Sequence, residues 1–162
     1  MKLFSKKEKN SENIVFKSEF EHTPSVDPIL IVKLKEWIWV DGYKGTNENL
    51  KCNGYQFENG KTFVFDGDSV ELCKSGFHFC YKLSDVFNYY SIGTKNRFFR
   101  VEGLVDKEEY EETVSKYGKV YFDGSAIDTY DSKLVAKEIR FIEEIYYDDL
   151  KEYIFKKALS KR

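Results

Sequence analysis

Long apolar runs are missing from this sequence. None approaches the ~18 residues that a membrane-crossing helix needs. The first residues, MKLFSKKEKNSEN, are charged and carry no apolar core of a secretory leader, so they do not read as one. Proline is scarce: there are 2, Pro24 and Pro28, both near the N-terminus. Cysteine is sparse and odd in number, at 3, which points to free thiols in a reducing cytoplasm rather than to a disulfide framework. Glycine-rich phosphate loops of either common pattern are absent. A dominant charge is absent too. The net charge of −2 gives general nucleic-acid binding no support and is too mild for an acidic mimic of nucleic acid.

Aromatic residues are what the chain has in abundance, at 17%, with 14 Phe and 12 Tyr. Disordered chains are poor in such residues, so a folded, β-rich core is expected. A length of 162 residues suits one domain better than two. Residues 1–28 are polar and charged and read as a loosely docked arm that Phe16 and Phe20 could pin. Residues 29–162 read as a single domain. The basic ends (Lys2, Lys6, Lys7 and Lys9; Lys156, Lys157, Lys161 and Arg162) read as solvated termini.

Strand patterns recur along that domain. Residues 29–34 are apolar and β-branched. In residues 36–44 Trp37 and Trp39 alternate with Ile38 and Val40, predicting a central strand covered on both faces. Gly42 and Gly45 bracket Tyr43 and Lys44 at its exit and permit close approach of another group. Residues 54–65 read as a hairpin turning at Asn59-Gly60, with Tyr55 and Phe57 on one arm and Phe63 and Phe65 on the other. Asp66-Gly67 marks a further turn, and residues 69–73 a returning strand. Residues 97–105 and 119–122 read as strands, 106–117 as an acidic helix, and 134–145 as strand with one lapse of period. Tyr147, Leu150, Ile154 and Ala158 lie on one face of a C-terminal helix. The expected class is α+β, a mostly antiparallel twisted sheet with two or three helices.

Chemically capable groups concentrate in residues 73–90, CKSGFHFCYKLSDVFNYY. Phe77 and Phe79 share one strand face, His78 and Cys80 the other, and Ser84 reads as the N-cap of a helix through Val86, Phe87 and Tyr90. Burial of both Phe rings near Trp37 or Trp39 is expected, with Cys73, His78 and Cys80 in one neighbourhood. Two chemistries suggest themselves. Cys52, Cys73, His78 and Cys80 could ligate zinc, but the spacing C-x4-H-x-C is irregular and lacks a second tight pair, so no metal and no cofactor is expected. A Cys–His nucleophilic pair needs hydrogen-bond contact, whereas His78 and Cys80 sit ~6.5–7 Å apart along a strand. No catalytic residue is assigned.

The series Tyr43-Lys44-Gly45, then residues 50–57 (LKCNGYQF), Gly60-Lys61, Cys73-Lys74-Ser75-Gly76-Phe77-His78-Phe79-Cys80, then DVFNYY at 85–90 and Asp131-Ser132-Lys133, resembles a bacteriophage- and prophage-associated family of unknown function. That resemblance implies a small accessory protein in the host cytoplasm that acts by binding. A host-encoded defence or regulatory protein is the partner it implies. A fainter resemblance is to ADP-ribosyltransferase-like folds. It implies a nucleotide pocket of Tyr43, Lys44, Gly45, Gly76, His78 and Tyr90, with Glu138, Glu143 or Glu144 as the acid. Lys44 departs from the Arg or His such enzymes carry.

Overall fold

A computed structural model of the chain describes residues 34–160, the side chain of Lys157 excepted. The expected arm at 1–28 and nearly all of the strand expected at 29–34 lie outside those residues. Leu34 itself is exposed and in no strand.

Strand β1 (Trp37–Thr46) is central. On one side it pairs with β6 (Arg97–Asp106) along its whole length, Trp37 opposite Asp106 and Thr46 opposite Arg97. On the other side it meets β5 (Phe77–Cys80), with Tyr43 opposite Cys80. Strand β9 (Lys133–Ala136) pairs with β5, and β10 (Glu138–Ile145) with β6. The short β4 (Thr62–Val64) pairs with β10. The sheet has six strands, all antiparallel, in the order β4-β10-β6-β1-β5-β9. Two two-stranded ribbons accompany it: β2 (Lys51–Cys52) with β3 (Tyr55–Gln56), and β7 (Val120–Phe122) with β8 (Ile127–Thr129). Helices α1 (Leu83–Val86), α2 (Lys107–Lys116) and α3 (Tyr147–Ser160) complete the α+β fold. Among the described residues no helix is long and apolar enough to cross a membrane.

One residue makes this sheet curl. Strands β9 and β10 lie four places apart in the sheet order, yet only Lys137 separates them in the chain. Two residues span at most ~7 Å, so the β9 edge must come back to meet β10. Lys137 ties the corner: its N–H donates to the Leu104 carbonyl at 2.9 Å and its carbonyl accepts from the Phe65 N–H at 2.8 Å. The concave face holds the main core, including Val40, Phe57, Phe77, Phe79, Phe99, Val101, Ile139 and Phe141. Each buried side chain of this size contributes about 1.5–3 kcal/mol. Tight curvature requires that something be absent from the crowded side, and Gly42 and Gly103 supply it. A Cβ at Gly42 would stand 2.5 Å from Phe79 Cδ2, and one at Gly103 2.6 Å from Phe79 Cζ. The Phe79 ring therefore lies across two bare backbones. A second, smaller core on the opposite face joins Cys80, Leu83, Val86, Phe98 and Leu150.

Several sequence expectations need correction. Phe77 and Phe79 are buried, but Trp37 and Trp39 are on the other face of β1 and are not their neighbours. That face is not covered along its whole length. Trp39 is 39% exposed, with the Arg140 guanidinium stacked 3.6 Å from its ring centre. Residues 54–65 do not pair as one hairpin. The two-residue turn that closes a hairpin is Asn53-Gly54, where both residues have positive φ (47° and 82°), joining Cys52 to Tyr55. Asn59-Gly60 also turns, but its arms pair elsewhere, β3 with β2 and β4 with β10. Residues 69–73 form a tight loop with one bridge, Glu71 to Ser75, and no strand. Ser84 lies inside α1, which Lys82 caps without its side chain. The lapse of period in residues 134–145 is a bulge between Phe141 and Glu143, which sends Ile145 to the opposite core from Ile139. On α3 the buried stripe is Leu150 with Tyr153, and Ile154 is exposed.

Candidate functional site

The exit of β1, the end of β5, the turn following α1 and the β2–β3 hairpin tip converge on a cleft of about 400 Å³. That volume is in the range of small-molecule sites. Close packing builds its wall. The Tyr90 ring lies on the backbone of Gly45, where a Cβ would stand 2.5 Å from Tyr90 Cγ. Tyr90 is held over that backbone by the turn after α1, since the N–H groups of Tyr89 and Tyr90 both donate to the Val86 carbonyl at 3.0 Å.

Lys44 is the cleft's unusual residue. Strand alternation turns its side chain inward, and it is only 4% exposed. Its Nζ donates to the His78 carbonyl at 2.6 Å and to Cys52 Sγ at 3.6 Å, and sits 5.3 Å from the Phe57 ring centre. Burial lowers its pKa from the ordinary lysine value, and the Cys52 sulfur partly restores it. Tyr90 also donates its hydroxyl to Cys52 Sγ, at 2.9 Å. Burial and that bond raise the Tyr90 pKa.

His78 and Cys80 point to the same side of β5 but do not act as a pair. The Cys73 N–H donates to His78 Nε2 at 2.7 Å, so that nitrogen is an acceptor and is already occupied. Cys73 reaches it from a left-handed backbone conformation, φ 66°. Burial, followed by the charges of Lys44 and Lys133, lowers the His78 pKa to about 4. Burial pushes the Cys80 thiol up to about 12, so it stays protonated. Cys73, His78 and Cys80 share one neighbourhood, as the strand geometry predicts, and Cys52 joins them at the cleft. Among the described residues, however, no group of three or more His, Cys, Asp or Glu side chains is arranged to hold a metal ion.

Of the residues singled out in the sequence, Tyr43, Lys44, Gly45, His78 and Tyr90 come together here. Gly76 does not line the cleft. Its φ of 98° makes the turn into β5, and it borders a smaller neighbouring pocket with Lys44 and His78. Glu138 is remote from the cleft. It pairs with Leu104, which is opposite Trp39, two strands across and several residues back from Tyr43. That separation is roughly 16 Å on ordinary sheet spacing. Glu143 pairs with Arg100 at 2.7 Å, and Glu144 takes both prongs of Arg97 at 2.8 and 2.7 Å. Sequence reasoning missed two of the cleft's walls, Tyr89 and Lys133. Lys133 Nζ rests 4.7 Å from the Tyr89 ring centre, and Tyr89 donates its hydroxyl to Asp131. The pairing of β9 with β5 brings them together, and no local pattern announces it.

Fold and cleft together define a small antiparallel α+β domain with one wall of a ligand-sized cleft set into the central strand of its sheet. The chain belongs to the family described as Domain of unknown function (DUF7666), whose model matches residues 40–120. Neither a curated protein nor a solved structure matches it.

Proposed function

We propose that this chain acts by binding, and that the cleft takes a small, flat, anionic ligand of the nucleotide class. The observation that carries this reading is the make-up of the wall. Two lysines, Lys44 and Lys133, and three tyrosines, Tyr43, Tyr89 and Tyr90, line the cleft, and no carboxylate does. In a chain of net charge −2 that is a local reversal of sign. Tyrosine faces suit a ring, and lysine suits phosphate. ADP-ribosyl transfer is not part of the proposal, because the late-strand glutamates it would require are not in the cleft. Thermal unfolding with adenosine, AMP and ADP tests the reading. Millimolar AMP or ADP should raise Tm by at least 2 °C, adenosine should do less, and Lys133→Ala should remove the difference. No shift with either nucleotide at 5 mM overturns it.

A second reading keeps the protein partner implied by the phage-type motif. One face of the β7–β8 ribbon presents Val120, Phe122 and Ile127, which are 66, 69 and 76% exposed. An apolar face of this kind suits docking on a host protein by an accessory protein of a phage or mobile element. The test is whether a protein captured by the wild-type chain is lost with Phe122→Asp while nucleotide binding is kept.

A further inference from the structure

Lys44 is the one buried lysine among the described residues, and it lines both the cleft and the smaller pocket beside it. Its Nζ donates to the His78 carbonyl at 2.6 Å and to the Cys52 sulfur at 3.6 Å. No carboxylate lines either cavity among the described residues, and none is a partner of the Nζ. A carbonyl oxygen and a thiol sulfur accept from a neutral amine as readily as from an ammonium. An ammonium buried without a counter-charge, by contrast, is costly. Burial accordingly lowers the Lys44 pKa, and the Cys52 sulfur opposes that shift without cancelling it. A desolvated lysine that gives up its proton in such a place is a nucleophile. The backbone holds it firmly: Lys44 is paired opposite Phe99 in the β1–β6 ladder, and its neighbour Gly45 lies under the Tyr90 ring.

We propose that the Lys44 amine is an imine-forming group, and that the cleft takes a flat conjugated aldehyde whose anionic substituent Lys133 meets. This deepens the reading of the cleft as a site for flat anions and rests on it. In the reaction the nitrogen lone pair forms a C–N bond to the carbonyl carbon, and the C=O π pair moves onto the oxygen. That oxygen takes one proton from the nitrogen, which gives a carbinolamine. The nitrogen lone pair then expels the hydroxyl group, which takes the second nitrogen proton and leaves as water. The amine loses two hydrogens and the aldehyde its oxygen, so nothing is oxidised or reduced. Conjugation keeps such an aldehyde planar, which suits the faces of Tyr43, Tyr89 and Tyr90. The wall has no carboxylate to repel the anionic substituent, and Lys133, 4.7 Å from the Tyr89 ring centre, brings positive charge to it.

The test is labelling of the full chain with pyridoxal phosphate, a flat aldehyde that carries a phosphate, at pH 7 with sodium cyanoborohydride, followed by peptide mass spectrometry. Cyanoborohydride makes only the C–N linkage permanent, so addition to a cysteine leaves no mark. Lys44 should be labelled at least about tenfold faster than exposed Lys95. Lys133→Ala should slow Lys44 severalfold and leave Lys95 unchanged. If Lys133→Ala fails to fold, an excess of inorganic phosphate over the wild-type chain should slow Lys44 in the same way. Labelling of Lys44 no faster than that of Lys95 overturns the proposal, as does a Lys44 rate that neither Lys133→Ala nor phosphate changes. Thermal shifts by AMP are read separately. A shift without Lys44 labelling removes the imine and leaves the nucleotide reading standing, whereas selective labelling without a shift removes the nucleotide and keeps the imine.

Discussion

Gly103→Ala adds one methyl group to β6 on the concave, crowded side of the sheet, at the point where Phe79 has no room to yield. The new Cβ would stand 2.6 Å from Phe79 Cζ and 3.0 Å from Ala136 Cβ. Carbon atoms rest at about 3.5–4.0 Å, so the ring would have to retreat by about 1 Å. It is blocked on that path. Its other edge already lies against the backbone of Gly42, where only 2.5 Å separates Cδ2 from an imagined Cβ. Overpacking of this kind costs about 1–3 kcal/mol, and a site closed on both sides belongs at the upper end. Gly103 has no positive φ, so alanine adopts its conformation freely and recovers about 0.4–1 kcal/mol from the unfolded chain. The expected net loss is about 2 kcal/mol in urea unfolding. Phe79→Leu should lose about 1–2 kcal/mol alone but relieve the clash. The double variant should then be at least ~1 kcal/mol better than the sum of the singles. A Gly103→Ala loss under ~0.5 kcal/mol, or strict additivity, would refute the packing of Phe79 across the two glycines.

Two more outcomes follow from burial and charge. His78 titrates near 4 when folded and near 6.5 when unfolded, so between those values the unfolded chain holds more protons and stability must rise with pH. The whole displacement would amount to ~3.4 kcal/mol at 1.36 kcal/mol per pH unit. Solvent reaches the ring, so screening leaves about 1–2 kcal/mol. Urea midpoints at pH 4, 5.5 and 7 measure it, and His78→Gln, which keeps an acceptor for Cys73, should flatten the rise. On α3, Leu150→Ala should cost about 2–4 kcal/mol, whereas Ile154→Ala, 42% exposed, should stay within ~0.5 kcal/mol. Equal losses at the two positions would mean that α3 docks by another face.

Local signals in this chain are legible where one short stretch suffices to make them. The alternation over residues 36–44 and the acidic stretch at 106–117 correspond to β1 and α2. What alternation cannot supply is the identity of the partner. Both Asn53-Gly54 and Asn59-Gly60 are strong turn pairs, and which of them closes a hairpin is decided by β4 finding β10, some 75 residues later in the chain. The same limit applies to the site. Tyr43, Lys44, Gly45, His78 and Tyr90 were legible because they lie in two short stretches with glycines and aromatics. Lys133 and Tyr89 meet only through the β5–β9 pairing, and Glu138 is carried away by a strand pairing that no local pattern reveals.

The single-residue corner at Lys137 has a consequence for how the chain is made. A ribosome delivers β1, β5 and β6 first, and the two strands that cover the edges of β5 and β6 arrive last, joined through Lys137. Until they emerge, both edges are bare and open to strands from a neighbouring nascent chain. The matched family segment, residues 40–120, ends before either closing strand. A fragment cut at those limits would carry most of the cleft wall and lack Lys133. It would also leave unpaired the edges of β5 and β6 that β9 and β10 cover.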